Sequence, residues 1–358
     1  MKCIMLRVLK DNLKNPIYYA GAILVIAFLY QTLYPYLNIV RYETEAGLSV
    51  AYKESADPSD ADIMEGYIPT TQAEQEQIGW QHVYSNLTEG LGKSETEAKE
   101  IILDLKDKDM SLDELAQYMK KNYGYHNIVY EFSEKARKAT IEEMQSFIDQ
   151  SLHQETYTAY FARKFVDRLS VAITFYGIII LAFLYIYDTK SDMYELLHTK
   201  SIRPFEYILG KMLGGFIAVM LVVSMITLLI NIIAMLHGIS SNFPVNFADM
   251  WMAVLLFIVP GMITIIAVYT AVSILFKTPI PAIPMLILYV FYSNMGSSLE
   301  STATYGYAIK PLALLVRFPE IFFGTSIGGA TYFAQVQIIG LSIILTMLSI
   351  IMWKRRVY

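Results

Sequence analysis

The chain has 358 residues, of which 55% are apolar and 17% are charged, and its mean hydropathy is +0.40. Because soluble globular proteins carry about 25% charged residues, this composition indicates a membrane protein, and the single cysteine excludes a disulfide framework. Residues 41–168 contain 14 basic and 25 acidic residues, a net charge of −11, whereas the rest contains 14 and 8 (28 less 14 and 33 less 25), a net charge of +6. This split argues against nucleic-acid binding and for two sides of a membrane.

Six apolar stretches approach the length of about 20 residues that a helix needs to cross a bilayer. They are residues 16–39, 169–187, 213–236, 251–276, 279–294 and 336–353. None contains Asp, Glu, Lys, Arg or His. The fifth is short and begins among prolines, and Pro260-Gly261 predicts a kink in the fourth. The sequence therefore predicts an all-α polytopic membrane protein with six transmembrane helices.

The basic residues lie unevenly on the two sides of these stretches. One side, made of residues 1–15, 188–212, 277–278 and 354–358, carries twelve Lys and Arg. The short loops of the other side carry only Lys310 and Arg317. Because basic loops stay in the cytoplasm, both termini are expected there, and the acidic block is expected outside the cell.

The acidic block, residues 40–168, is predicted to be a mostly helical extracytoplasmic domain. Its helix starts carry three capping boxes, Ser94-x-x-Glu97, Ser111-x-x-Glu114 and Thr140-x-x-Glu143, with apolar residues at helical spacing behind them. A further helix is expected over 71–90, strand-like patterns over 46–52 and 126–132, and a loop over 53–69. The acidic helix faces are typical of solvated surfaces, and attraction of a cationic ligand is the alternative.

No motif for catalysis occurs in the chain: the phosphate-binding loop, the nucleophile elbow, the H-E-x-x-H zinc motif and paired cysteines are all missing from the sequence. We therefore do not expect an enzyme. The predicted spans carry no ionisable side chain, which weighs against a proton-driven carrier but leaves open a sodium site made of backbone carbonyls. An ion-coupled carrier or channel is thus the weakest of the functional hypotheses.

Candidates for a translocation path are polar, aromatic or kink-forming residues of the predicted spans. For the threonines and the asparagine the alternative is hydrogen bonding between helices, and for the tyrosines it is an aromatic belt at the membrane surface. The candidates are Tyr30, Tyr34, Thr227, Asn231, Pro260, Thr264 and Tyr269.

The most informative stretch is the loop between the second and third spans. Ser191 or Asp192 can cap a short helix near 191–199, and Pro204 can open the helix that follows. Such a helix would show both apolar and charged side chains to the cytoplasm, which a plain connecting loop does not need, and an interfacial helix that only anchors the spans is the alternative. The candidate residues of this stretch are Ser191, Asp192, Met193, Tyr194, Glu195, Leu196, Leu197, His198, Lys200 and Arg203.

This loop resembles the coupling helix of permeases of the ABC type-2 exporter family, in Glu195, the Leu196-Leu197 pair, the stretch 201–204 and Gly210-Lys211. Residues 1–15 resemble the amphipathic elbow helix of that family, with Met5, Val8 and Leu9 opposite basic residues. Six spans, cytoplasmic termini and a large insertion after the first span also occur in the family. The apolar segment 308–323 lies where the family has short re-entrant helices. The resemblance covers residues 1–39 and 169–358.

The resemblance implies a multi-pass permease subunit in a bacterial cell membrane. ATP and Mg²⁺ would bind to a separate ABC ATPase subunit, present in two copies, and this chain would hold no cofactor. The candidate residues of the loop between the second and third spans would be the contact residues for this ATPase subunit. The other partners would be membrane lipids and a second permease chain, identical or paralogous. The expected cargo is hydrophobic or amphipathic, such as antimicrobial peptides or lipids, moved outward. The alternative is an extracytoplasmic sensor or mechanotransmission protein without cargo translocation.

Overall fold

A computed structural model describes most of the chain, and helices dominate it. The described residues are 1–41, 62–108, 110–132, 136–186, 203–294, 297–298, 307–318, 321–324 and 327–355. In chain order the helices are α1 (Lys2–Leu13), α2 (Pro16–Leu33), α3 (Gln72–Ser85), α4 (Glu95–Asp107), α5 (Leu112–Tyr123), α6 (Ile128–Glu131), α7 (Ile141–Gln154), α8 (Tyr157–Ile186), α9 (Pro204–Ser240), α10 (Ala248–Phe276), α11 (Ala282–Asn294) and α12 (Gly329–Arg355). The strands form two short antiparallel pairs, β1 (Tyr67–Pro69) with β2 (Ala136–Lys138) and β3 (Ser297–Ser298) with β4 (Tyr307–Ala308).

Within the described residues, five helices are long and apolar enough to cross a membrane. They are Pro16–Asn38, which is α2 with a closing 3₁₀ turn, and α8, α9, α10 and Gly329–Lys354 of α12. The fifth predicted span forms α11, which has only 13 residues and is shorter than the hydrocarbon core requires. The all-α polytopic class is therefore confirmed, and the sixth crossing rests on this short helix.

Helix α8 begins well before the predicted span. It starts at Tyr157, 12 residues ahead of position 169, so the expected boundary at residue 168 falls inside one continuous helix. Its early turns contain Lys164 and Asp167, each 2% exposed. The predicted span 169–187 itself carries no ionisable residue, and the buried charges lie in the turns that precede it, where partners inside the protein replace water.

Helix α10 carries a wide turn next to its proline. Residues Val254–Ile258 form a π-helical turn, and the regular helix resumes at Val259, immediately before Pro260. Proline lacks the N–H that the preceding turn needs, and its ring crowds the carbonyl oxygen four residues earlier. A π turn is one way for a helix to absorb this defect, and the predicted irregularity lies at this position.

The insertion between α2 and α8 has two parts. Helices α3 to α6 pack round a separate core that includes Val83, Leu105 and Met119. The β1–β2 ribbon and α7 belong instead to the core of the bundle, through residues such as Met144. Arg137 on β2 joins the parts, because its guanidinium lies 2.8 Å from carboxylate oxygens of both α3 and α7.

The local predictions for the insertion had mixed outcomes. The three predicted capping boxes form, and Thr71 makes a fourth with Glu74 that the sequence reading missed. The strand prediction for 126–132 is wrong, because Ile128 turns into the core of the α3–α6 body on a helical turn. The predicted loop 53–69 contains a 3₁₀ turn and β1 in its described part, and the segment 46–52 lies outside the described residues.

Contacts between helices define two ends of the bundle. At the termini end, α1 packs on the first turns of α9, and the rings of Tyr207 and Trp353 stack 4.5 Å apart. At the insertion end, Tyr157 at the start of α8 packs against His237 near the end of α9, with ring centroids 5.5 Å apart. Helices α8 and α9 therefore run antiparallel, and residues 187–202 connect them at the termini end.

Candidate functional site

The candidate site is formed by the two helix ends from which the 187–202 loop departs. Of the predicted contact residues, Ser191, Asp192, Met193, Tyr194, Glu195, Leu196, Leu197, His198 and Lys200 lie outside the described part of the chain. Arg203 is exposed at the N-cap of α9, and its carbonyl oxygen accepts the N–H of Tyr207 at 3.1 Å. Pro204 opens α9 as predicted. The structure thus defines the two stems of the loop, the last turn of α8 and the first turns of α9.

A buried lysine joins the two stems. Lys211 on α9 is 7% exposed, and its Nζ donates a hydrogen bond of 2.7 Å to the carbonyl oxygen of Leu184. The last four carbonyls of a helix lack partners in that helix, so a cation at this place also meets the negative end of the α8 dipole. A bond of this charged kind contributes about 1.5–3 kcal/mol. Lys211 therefore clamps the end of α8 to the beginning of α9.

Aromatic rings enclose the ammonium group of this clamp. The Nζ atom lies 4.9 Å from the centroid of the Tyr185 ring and 5.6 Å from that of Tyr207. Such contacts between a cation and aromatic rings strengthen where water is excluded. Tyr185 also shares a hydrogen bond of 2.9 Å with Thr270, which ties the same stem to α10.

Helix α1 covers the outside of the α9 stem through two glycines. A Cβ atom on Gly210 would lie 3.0 Å from the carbonyl oxygen of Met1, and one on Gly214 would lie 2.7 Å from Cβ of Val8. Only glycine permits this close approach of two helices. The structure therefore has a helix where the amphipathic elbow is predicted, and it seats that helix directly on the Gly210-Lys211 turn.

The candidates for a translocation path have separate environments. Tyr30 and Tyr34 are exposed on the surface of the bundle, 67% and 51% respectively, as residues of an aromatic belt would be. Pro260 is buried next to the π turn of α10.

Four further candidates make contacts within or between helices. Thr227 bonds the carbonyl oxygen of Val223, and Asn231 donates to that of Phe247 at 2.9 Å. Thr264 shares a hydrogen bond with Ser342 of α12. The hydroxyl of Tyr269 donates to the carbonyl oxygen of Ile178 in α8 at 2.5 Å. These are contacts that stabilise helix packing.

Sequence reasoning missed Lys211 as a structural clamp. The sequence identifies Gly210-Lys211 only as a pair within a motif. The hydrogen-bond partner of Lys211 is 27 residues away, so no local pattern identifies that partner. The useful signal was the position of a lysine about two turns inside α9, next to a long apolar stretch. An ionisable residue there has to find a partner within the protein.

Comparisons with protein-family models, characterised proteins and solved structures find no match for this chain. The fold therefore defines the class on its own. The chain is an all-α polytopic membrane protein, with a helical insertion at one end of the bundle and, at the other end, a hydrogen bond from Lys211 that joins α9 to the end of α8.

Proposed function

We propose that this chain is the membrane-spanning permease subunit of an ATP-driven ABC exporter. Residues 187–202 then form the contact with a separate ATPase subunit, and the termini end of the bundle faces the cytoplasm. The observation that carries the proposal is the Lys211 clamp, which makes both stems of the loop parts of one rigid unit. A force applied to the loop would move α8 and α9 together instead of bending the loop.

The seating of α1 supports the same proposal. This amphipathic helix lies against Gly210 and Gly214, on the stem that continues into the loop. An interfacial helix fixed to one stem would hold the loop at a constant depth relative to the membrane surface. A partner that docks from the cytoplasm would then find the loop at a fixed distance from the membrane surface. The full assembly would contain two ATPase subunits, which bind ATP and Mg²⁺, and two permease chains.

The cargo is proposed to be hydrophobic or amphipathic, such as an antimicrobial peptide or a lipid, moved outward. Two observations support this class. The exposed faces of the spanning helices are apolar, and the insertion together with its flanks carries a net charge of −11. A field of that sign attracts cationic amphipathic peptides over a distance set by ionic strength.

The decisive experiment is affinity purification of the tagged, detergent-solubilised chain from its native host, followed by mass spectrometry. We expect a nucleotide-binding subunit in stoichiometric amount. The double variant Glu195→Arg, Leu196→Ala should insert normally and lose that subunit, since it alters charge and apolar contact in the proposed docking helix. The matched control is Lys354→Met, which removes an exposed charge at the same end outside the loop.

Two results would contradict the proposal. A chain that purifies without any ATPase subunit would remove the exporter assignment. An ATPase subunit that stays bound to the double variant would move the docking site elsewhere. The separate core of the α3–α6 body favours one alternative, in which the insertion receives a ligand and the bundle carries the signal without moving cargo. Loss of ligand sensing with no change in export would support that alternative.

A further inference from the structure

Irregular chain runs through the interior of the bundle at its insertion end. We define the plug as residues 311–318 and 321–324, which contain no helix or strand. The re-entrant helices expected over 308–323 are therefore not found in the described part of this segment. The segment is nevertheless buried, and Leu314, Leu315 and Phe322 are among its nearly inaccessible side chains. Irregular backbone is tolerated at membrane depth only where protein surrounds it.

The plug contacts several separate elements of the bundle in turn. At its beginning, the hydroxyl of Tyr289 on α11 donates to the carbonyl oxygen of Leu312 at 2.5 Å. In the middle, the ring of Phe318 lies 5.6 Å from that of Phe257 on α10. At its end, Phe322 stacks on Tyr36, beyond α2, with centroids 5.6 Å apart. The plug thus packs against α11, α10 and the turn that follows α2.

Side chains from four places hold the backbone N–H groups of the plug. Gln337 on α12 accepts from Leu312 at 3.0 Å, and Ser293 on α11 accepts from Leu314 at 2.8 Å. Asp167 on α8 accepts from Phe318 at 3.1 Å, and Asp62 in the insertion accepts from Phe322 at 2.8 Å. Each of these N–H groups of the plug is therefore paired with a side-chain oxygen from another element. Each of these hydrogen bonds can be broken without unwinding a helix.

Two of these acceptors are buried carboxylates. Asp167 accepts an additional hydrogen bond of 2.7 Å from Nε of Arg317, a plug residue. Asp62 also accepts the N–H of Ile63 at 2.7 Å, and its place just before β1 links the plug to the insertion. Burial raises the pKa of Asp62, and the N–H of Ile63 and the charge of Lys164 oppose that rise. Losing one partner of a buried charged contact costs more than losing an exposed one.

The first turn of the plug is also strained. Leu312 has a φ of +57°, in the left-handed region that a leucine seldom occupies. Strain of this kind costs about 1–3 kcal/mol and persists only where surrounding contacts enforce it. The contacts at Leu312 are the bonds to Tyr289 and Gln337. Release of the plug would relieve this strain, which lowers the free energy needed to displace it.

We propose that the plug is a displaceable gate that closes the insertion end of the bundle, held shut by the carboxylates of Asp62 and Asp167. Because Asp62 belongs to the insertion, a movement of the insertion withdraws one of the two holding groups. A movement of the insertion would therefore open the gate. This inference does not depend on a partner subunit, since the purified chain alone contains every group involved.

Cysteine accessibility tests the proposal in the purified full-length chain in lipid nanodiscs. The background is Cys3→Ser, which removes the only native thiol. The reporter is Leu315→Cys, at a plug position that is 2% exposed, and the probe is a water-soluble maleimide. We expect Asp62→Asn and Asp167→Asn each to speed labelling by roughly 10- to 100-fold, the factor that corresponds to a lost hydrogen bond to a charged group.

Two controls separate opening of the gate from general loosening. Asp104→Asn removes a carboxylate that pairs with Lys108 at the end of α4, a helix of the separate α3–α6 core, and it should leave labelling of the reporter unchanged. A second reporter, Ile173→Cys, is fully buried in α8 and should stay protected in every variant. If an aspartate variant does not insert, Arg317→Lys keeps the charge, lacks the Nε donor and should give an intermediate acceleration.

Two outcomes would overturn the proposal. Unchanged labelling of the plug reporter in the aspartate variants would show that the carboxylates do not hold the segment. Equal acceleration at the Ile173→Cys reporter would show that they stabilise the whole bundle and not a gate. Acceleration confined to the plug reporter is the result that supports the gate.

Discussion

Replacement of Lys211 by methionine tests the clamp at the termini end. Methionine retains an unbranched apolar side chain but cannot donate to the carbonyl oxygen of Leu184. The last turn of α8 then loses a charge-assisted hydrogen bond and a favourable charge at its negative end. We expect the two stems of the 187–202 loop to open more often, while the rest of the bundle keeps its packing.

The size of the effect follows from the contacts of the ammonium group. A hydrogen bond to a charged group contributes about 1.5–3 kcal/mol, and contacts with two tyrosine rings add about 0.5–2 kcal/mol. Burying the lysine costs part of its hydration energy, and methionine does not incur this cost. The net loss of stabilisation in the variant therefore lies near the lower end of these ranges. A loss of about 2 kcal/mol makes local opening of the stems roughly 30-fold more frequent.

Hydrogen–deuterium exchange of the purified chain measures this opening residue by residue. Amides 182–186 and 205–208 should exchange roughly 30-fold faster in Lys211→Met, the factor that corresponds to a loss of about 2 kcal/mol. The control Lys354→Met removes an exposed charge from the same end of the bundle and should leave these amides unchanged. Unchanged exchange at the stems in Lys211→Met would refute the clamp. So would a uniform increase along α12, since that indicates loss of the whole fold.

Two further predictions concern other contacts of the fold. Gly214→Ala should lower the thermal stability of the detergent-solubilised chain, because the new Cβ would lie 2.7 Å from Cβ of Val8. The control is Gly340→Ala, whose Cβ meets no atom within 4 Å and which should not lower the thermal stability. In the insertion, the Arg137 guanidinium lowers the pKa of Glu143 to about 2. A lowered pKa gives stability that is present above the unfolded value of about 4.5 and lost as pH falls towards 2. Exchange at residues 136–145 should therefore rise over this range, and Glu143→Gln should show high exchange at every pH.

Apolar patterning was sufficient to find the lipid-facing helices and insufficient to find the beginning of α8. Helices α9, α10 and α12 expose long apolar faces, and a hydropathy window detects such faces directly. The first turns of α8 contain charges whose partners are distant in sequence, such as Asp167 with Arg317, 150 positions away. Each charged residue lowers the mean hydropathy of a sequence window, so the window does not extend the predicted span over these turns. The apolar spacing of Tyr157 and Phe161 was the local signal for the earlier start.

The plug shows a different limit of sequence reasoning. Burial inside the protein accounts for its apolar composition, because several large side chains in one loop require protein or lipid around them. Its helical form was predicted from resemblance and is not found in the described residues. Pro311 and Pro319 stand within the segment, and a proline disfavours the helical conformation for the residue before it. The four side chains that hold the plug come from distant parts of the chain, so no local sequence pattern predicts these contacts.

Helix α8 connects the gate to the clamp. Asp167 holds the plug near one end of this helix, and Leu184 accepts from Lys211 near the other, 17 residues or about 25 Å further along. Tyr269 ties the stretch between them to α10, at the carbonyl oxygen of Ile178. A continuous helix held at several points can transmit a displacement along its length, which makes it a physical route between two sites.

Reciprocity tests this route. If α8 links the two ends, Asp167→Asn should change exchange at amides 182–186 and 205–208. Lys211→Met should in turn change labelling of the Leu315→Cys reporter, since a coupling free energy acts equally in both directions. An effect in neither direction would show that the gate and the clamp open independently. The insertion would then govern only its own end of the bundle, and a partner at the 187–202 loop would have no route through α8 to the plug.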